Sequence, residues 1–178
     1  MKRITPEDLT RAAEAVAEIT GQSHIFIVGM ASTAFSAPNV AGMLTDDIDL
    51  FTPELETGFL DEVIAAVGEG SQFEADHGFY VERVGTWVLL TQPRGWMERA
   101  LVLPHPTLMI HILHPLDLVY NKLEAGRKKD LEAVAQVLKA GPVTLDEVQD
   151  FIHQSGATEE TKDEILKNLS RVLQTLNR

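Results

Sequence analysis

The chain has 178 residues, 44% hydrophobic and 24% charged, a composition that fits one folded domain, or a domain with a small appendage, and excludes a disordered polymer. Fifteen basic against twenty-seven acidic residues leave a formal charge of −12, which opposes nonspecific association with nucleic acid or anionic membrane, so no extended nucleic-acid surface is expected. Cysteine is absent, which rules out disulfides and thiolate metal sites. The opening MKRITPEDLT has no apolar h-region, and no apolar run approaches the ~20 residues that span a bilayer, so the expected home is the cytoplasm.

In chain order, Thr5 is a natural N-cap for a helix with Pro6 in its first turn and Asp8 three residues after the cap. Leu9, Ala13, Val16 and Ile19 repeat at helical spacing until Gly21. HIFIVG, His24 to Gly29, is a short apolar run that reads as a buried strand. After an Ala/Ser-rich segment, DIDLF forms a second strand closed by Thr52 and Pro53. FLDEVIAAVGEG reads as a helix stopped by Gly68 and Gly70. FYVERV and TWVLLTQ flank Gly85 as a hairpin or as two strands with a tight joint, and LMIHILH is another strand. From Pro115 the pattern is helical: PLDLVYNKLEAGRKKDLEAVAQVLKAG, then TLDEVQDFIHQSG with a Thr144/Glu147 capping box, then TEETKDEILKNLSRVLQTLN with Ile165, Leu166, Leu169, Val172, Leu173 and Leu176 on one stripe. The expected fold is α+β, a mixed sheet flanked by helices. The expected division is a core over 1–114 and a helical part over 115–178 packed on it.

TDDIDLF carries the most chemistry. Strand alternation puts Asp47 and Asp49 on one face while Ile48 and Leu50 point into the core, and Asp46 starts the strand as a turn or solvated residue. Two carboxylates one strand repeat apart repel each other unless a cation lies between them, and Mg²⁺ favours one or two carboxylates together with substrate phosphates. An acidic loop leading into a strand is the plainer reading of the same residues. Lys122, Arg127, Lys129 and Asp130 form a second cluster; read as one helix, it places Lys122 and Lys129, seven apart, on a common face. Gly126 interrupts that stretch as a kink, as a close-packing point or as a break between two helices.

The six histidines show no metal-binding spacing and read as surface or strand-end residues, and no G-x-S-x-G, G-x-G-x-x-G or Walker A sequence occurs. Trp87 reads as core. Trp96, in the PRGWMER loop, is the better candidate for an exposed aromatic contact, with cover for a gap at the sheet edge as its alternative.

IFIVG-MAS (Ile25–Ser32) followed by ML-TDDID (Met43–Asp49), and then HPLDLVYNKLEAGRKKDLEAV, resemble in order the nucleotidyltransferase superfamily of the DNA polymerase β type, in particular its small bacterial members and the AbiEii-like toxin group. The resemblance spans roughly residues 22–138. It implies an enzyme that moves a nucleoside monophosphate from a nucleoside triphosphate to a hydroxyl of a protein, RNA or small molecule. Asp47 and Asp49 would hold Mg²⁺ or Mn²⁺; Gly29, Ser32, Thr45, Arg127 and Lys129 would meet the nucleotide; Lys122 and Asp130 would join Asp47 and Asp49 in the catalytic set. Three positions depart from the pattern. Met30 replaces the second small residue of the turn, where its side chain would crowd a triphosphate, and Met43 stands where an arginine is expected. TWVLLTQ lacks the third carboxylate, for which Glu82 or Glu98 are substitutes. The alternative is a degenerate, noncatalytic member of the same fold that binds or regulates a partner, as in a toxin–antitoxin or defence pair.

Overall fold

The computed structural model describes residues 2–38, 44–52, 60–84 and 92–176. Its centre is a five-stranded mixed sheet built from β2 (His24–Ile27), β4 (Asp47–Phe51), β5 (Tyr80–Arg83), β6 (Leu101–Leu103) and β7 (Met109–Ile112), ordered β5-β4-β2-β7-β6. β4 runs parallel to β5 and antiparallel to β2; β7 runs parallel to β2 and antiparallel to β6. This is the expected α+β architecture with its helical C-terminal part.

Period-two alternation assigns each strand to two cores. Ile25 and Ile27 of β2, Ile48 and Leu50 of β4, and Ile110 and Ile112 of β7 face one side. There they meet Leu9, Ala12, Ala13 and Val16 of α1 (Pro6–Thr20) and Val63 and Val67 of α3 (Leu60–Val67), with Ala34 and Phe35 of α2 (Thr33–Ser36) packed at the margin. Phe26, Val28 and Phe51 face the other side, together with Val84 and Trp96. Over them lie α6 (Pro115–Ala125), α7 (Lys128–Ala140), α8 (Leu145–Gln154) and α9 (Glu159–Leu176), which contribute Leu118, Leu123, Val134, Ile152, Leu169 and Val172.

The sequence signals at helix ends are realised as hydrogen bonds. Thr5 and Asp8 form a full capping box on α1, as Thr144 and Glu147 do on α8, and Gly21 closes α1 in the left-handed region. Asp8 is buried and also binds Lys2 at 3.0 Å and Arg11 at 3.3 Å. The stripe on α9 packs as expected, with Ile165, Leu169 and Val172 buried and Leu166, Leu173 and Leu176 at the rim of the core.

Some elements were not legible beforehand. β1 (Lys2–Arg3) pairs with β3 (Leu44–Thr45), a short ribbon that pins the lead-in to β4; β6 and α4 (Gln72–His77) are also additional. PRGWMER is not an exposed loop. It holds α5 (Trp96–Arg99), and Trp96 is buried with its ring edge-on to Phe26 at 5.3 Å, because an aromatic of this size gains more from packing on the face of the sheet than from solvent. Gly85 and TWVLLTQ up to Thr91, with Trp87, lie outside the described residues, as do Met43 and Pro53.

One ion pair ties α6 to α5. Arg99 donates through Nε at 3.1 Å and Nη2 at 2.6 Å to the fully buried carboxylate of Asp117, while its guanidinium covers the Phe151 ring at 4.8 Å. Replacing Arg99 by Met strands a buried negative charge, so urea unfolding of Arg99→Met at pH 7 is expected to show a loss of about 3–5 kcal/mol; a loss within ~0.5 kcal/mol would contradict the clamp.

Candidate active site

β4 and β5 run parallel and in register, with Asp47 beside Tyr80 and Asp49 beside Glu82. Side chains that are neighbours across a pair share a face, so Asp47, Asp49 and Glu82 converge, and one carboxylate oxygen from each lies within 4.8 Å of the others. The third acid is therefore present on the neighbouring strand, whereas Glu98 is exposed on α5 and takes no part in this cluster. The three offer carboxylate oxygens, hard donors whose chemistry suits Mg²⁺ or Mn²⁺.

The electrostatics match that geometry. Burial, reinforced by the charges of Asp47 and Glu82 and opposed by Lys122 and Lys129, pushes the Asp49 carboxyl up to about 7. Tyr80 registers the same field: burial, then Asp47, pushes its phenol up to about 12.

Gly29 explains how Asp49 fits. It has φ 64°, and a Cβ there would stand 1.8 Å from Asp49 Oδ2, so only glycine lets the turn after β2 pass over this carboxylate. Val28 N–H donates to the Asp49 carbonyl at 2.9 Å, fixing that approach. Ser32 is fully buried, and its hydroxyl donates to the Gly29 carbonyl at 2.8 Å, bracing the turn from behind. Thr45 donates its hydroxyl to the Asp47 carboxylate and lies against a different cavity. Met30 lines that second cavity too and packs at the rim of the core, and its side chain is not among those bordering the acidic cleft.

The carboxylates open into a cleft of about 570 Å³. Across from them stand Lys122, Arg127 and Lys129. These do not belong to one helix, which corrects the common-face reading: Gly126, at φ 63°, ends α6, Arg127 caps α7, and Lys129 lies in the first turn of α7. A left-handed residue cannot continue an α-helix, and the resulting elbow aims both helix ends at the cleft. Gly126 is also a point of close packing, since a Cβ there would meet Asn168 Nδ2 at 2.7 Å. Asp130 is buried rather than in the cleft. It receives Lys122 at 3.1 Å and Arg127 at 2.5 Å. Burial raises its carboxyl, but these two cations outweigh burial and hold it below the usual carboxylate range.

The sequence reading brought Asp47, Asp49, Gly29, Lys122, Arg127 and Lys129 to this cleft and named Glu82 as one of two substitutes for the third acid; the structure adds Arg83, Gln92, Asn121 and Glu124 to its walls. Glu82 was detectable as the polar member of an alternating strand; the parallel register that sets it beside Asp49 was not. Among the described residues no histidine joins the carboxylate cluster; His24 and His111 stack at the far end of the sheet, and His114 caps α6.

A family model described as a nucleotidyltransferase of unknown function (DUF6036) matches residues 7–175. No curated protein and no solved structure gives a match. No helix among the described residues is long and apolar enough to cross a membrane.

The raised Asp49 pKa sets a pH signature in metal-free protein. Folded Asp49 holds its proton more tightly than the unfolded chain, so its contribution to stability is complete below about pH 3.8 and is lost as pH rises through about 7. Asp49→Asn removes that loss. In EDTA, the variant is expected to exceed wild type in stability by about 1–3 kcal/mol at pH 8 and to converge with it near pH 4; equal curves at both pH values would contradict the carboxylate repulsion.

Proposed function

The chain belongs to the family of nucleotidyltransferases of unknown function, and on that premise we propose that its acidic cleft transfers a nucleoside monophosphate from a nucleoside triphosphate to a hydroxyl acceptor with Mg²⁺ or Mn²⁺. The observation that carries this reading is the convergence of Asp47, Asp49 and Glu82 opposite Lys122, Arg127 and Lys129. Asp47, Asp49 and Glu82 would hold the metal. When bound, it supplies positive charge that neutralises the phosphate oxygens and favours ionisation of the attacking hydroxyl.

The chain's own residues supply position and countercharge. In the transfer, the acceptor oxygen bonds to the α-phosphorus, the bridge to the β-phosphate breaks, pyrophosphate leaves and the hydroxyl proton is released. Lys122, Arg127 and Lys129 face the polyphosphate and balance the charge on the departing pyrophosphate. Asp130 acts through its two partners, holding Lys122 and Arg127 together at the elbow. Gly29 keeps the turn low enough for Asp49 to reach the cleft, and Ser32 and Thr45 brace Gly29 and Asp47.

The narrower kinship to the polymerase β type and the AbiEii-like group belongs to the same proposal, supported by the order of the glycine turn, the Asp47/Asp49 strand and the Lys122 to Asp130 segment. So does the division into a core over 1–114 and a helical part from 115. The noncatalytic alternative was motivated by a missing third acid; Glu82, in register with Asp49, supplies one.

Thermal shift with the four nucleoside triphosphates, in Mg²⁺ or in EDTA, tests the reading. Wild type is expected to gain several degrees with a triphosphate only when metal is present, by mass action on the native state. Asp47→Asn, Asp49→Asn and Glu82→Gln should each remove the gain while the proteins remain folded; a gain retained in all three would overturn the metal assignment. Gly29→Ala is expected to lose the same response by displacing Asp49, and an unaltered response would show that the close approach is dispensable.

A further inference from the structure

The helices of the second core leave one corner of the sheet open. Register places His24 beside Met109 and Phe26 beside His111, and alternation along β2 and β7 puts all four on the face that bears α6 to α9. Phe26 is buried there, but Met109 is 47% exposed, and Val102, beside His111 on β6, is 56% exposed. The two imidazoles have ring centroids 6.1 Å apart and planes 28° apart. His105 and His114 each use Nδ1 to accept a backbone N–H, whereas neither His24 nor His111 makes a hydrogen bond among the described residues. His111 lies flat on Phe26 at 4.3 Å, which fixes its plane. Burial, then the neighbouring His24, pushes the His111 imidazole below its ordinary value, so the ring is neutral at pH 7 with a lone pair to offer.

An imidazole pair without hydrogen bonds, open to solvent on one side and backed by an aromatic ring, suits a metal ion. Imidazole nitrogens bind such ions at about 2.0–2.1 Å, so two rings sharing one ion have centroids up to roughly 6.4 Å apart, a reach that includes 6.1 Å. Among the described residues no carboxylate completes a set of three with these histidines. The third donor on this face is the thioether of Met109, whose flexible side chain can swing toward either ring. Two imidazoles and a thioether are too soft a set for Mg²⁺ and too small a set for four-coordinate Zn²⁺, and they match Cu(I). We propose that His24, Met109 and His111 form a second metal site, for a soft monovalent ion of the Cu(I) class, at the opposite end of β2 from the acidic cleft. Hard and soft ions then divide between the two sites by ligand chemistry alone, whatever reaction the cleft performs.

Titration of untagged protein with Cu(I) under anaerobic conditions, beside Zn²⁺ and Mg²⁺, tests this. Wild type is expected to take up a single Cu(I) per chain and to bind it about tenfold or more tighter than Zn²⁺. His24→Gln and His111→Gln should each weaken Cu(I) binding by about 100-fold, Met109→Leu by about tenfold, and Asp47→Asn by no more than about twofold. Cu(I) is diamagnetic, so in proton NMR it should shift the ring signals of His24 and His111 and the methyl signal of Met109. No saturable uptake by wild type, or an affinity unchanged in both histidine variants, would overturn the site. If a variant fails to fold, the wild-type spectrum decides: shifts confined to His77, His105, His114 or His153 would overturn it equally.

Discussion

The fold is organised around a repulsion. Strand pairing brings one carboxylate oxygen from each of Asp47, Asp49 and Glu82 within 4.8 Å of the others. Ile48 and Leu50, on the opposite face of the same strand, are buried against α1 and α3, and a slip of one residue would bury the aspartates in their place. The apolar face therefore fixes where the charges stand. Much of the second core can be understood as the scaffold that sets three cations against them.

That opposition is held indirectly. Lys122 and Arg127 come from two helices separated by Gly126, and it is buried Asp130 that gathers them. A carboxylate already satisfied by two cations lets both remain close without repelling each other apart, and their remaining donors stay available to phosphate oxygens. Asp117, farther back on α6, is matched by Arg99 in the same manner. Buried acids thus position bases nearer the surface, in a chain whose excess of acid would otherwise work against any polyanion.

The sequence disclosed what depends on local pattern and concealed what depends on pairing. Asp47 and Asp49 were legible because their shared face follows from alternation within one strand. The helix ends at Thr5, Gly21 and Thr144 were legible because capping is chemistry over three or four residues. Glu82 remained one of two candidates because its place beside Asp49 is decided by a parallel contact between strands some thirty residues apart. The choice between an exposed and a covering Trp96 stayed open, and the β1–β3 ribbon went unread, for the same reason: nothing beside Gly95 and Met97 signals that the ring packs on a phenylalanine seventy positions earlier. The Lys122 and Lys129 face failed on a single glycine, whose left-handed conformation resets the helical phase.

The packing at Gly126 bears on when the cleft comes into being. Asn168, near the middle of α9, donates through Nδ2 to the Leu123 carbonyl at 2.9 Å and occupies the space that a side chain at Gly126 would need. The elbow that presents the cations is thus sealed by a residue more than forty positions downstream. During synthesis, the acidic strands leave the ribosome long before that seal does. The elbow that carries the cations thus receives its packing partner only when the last helix docks.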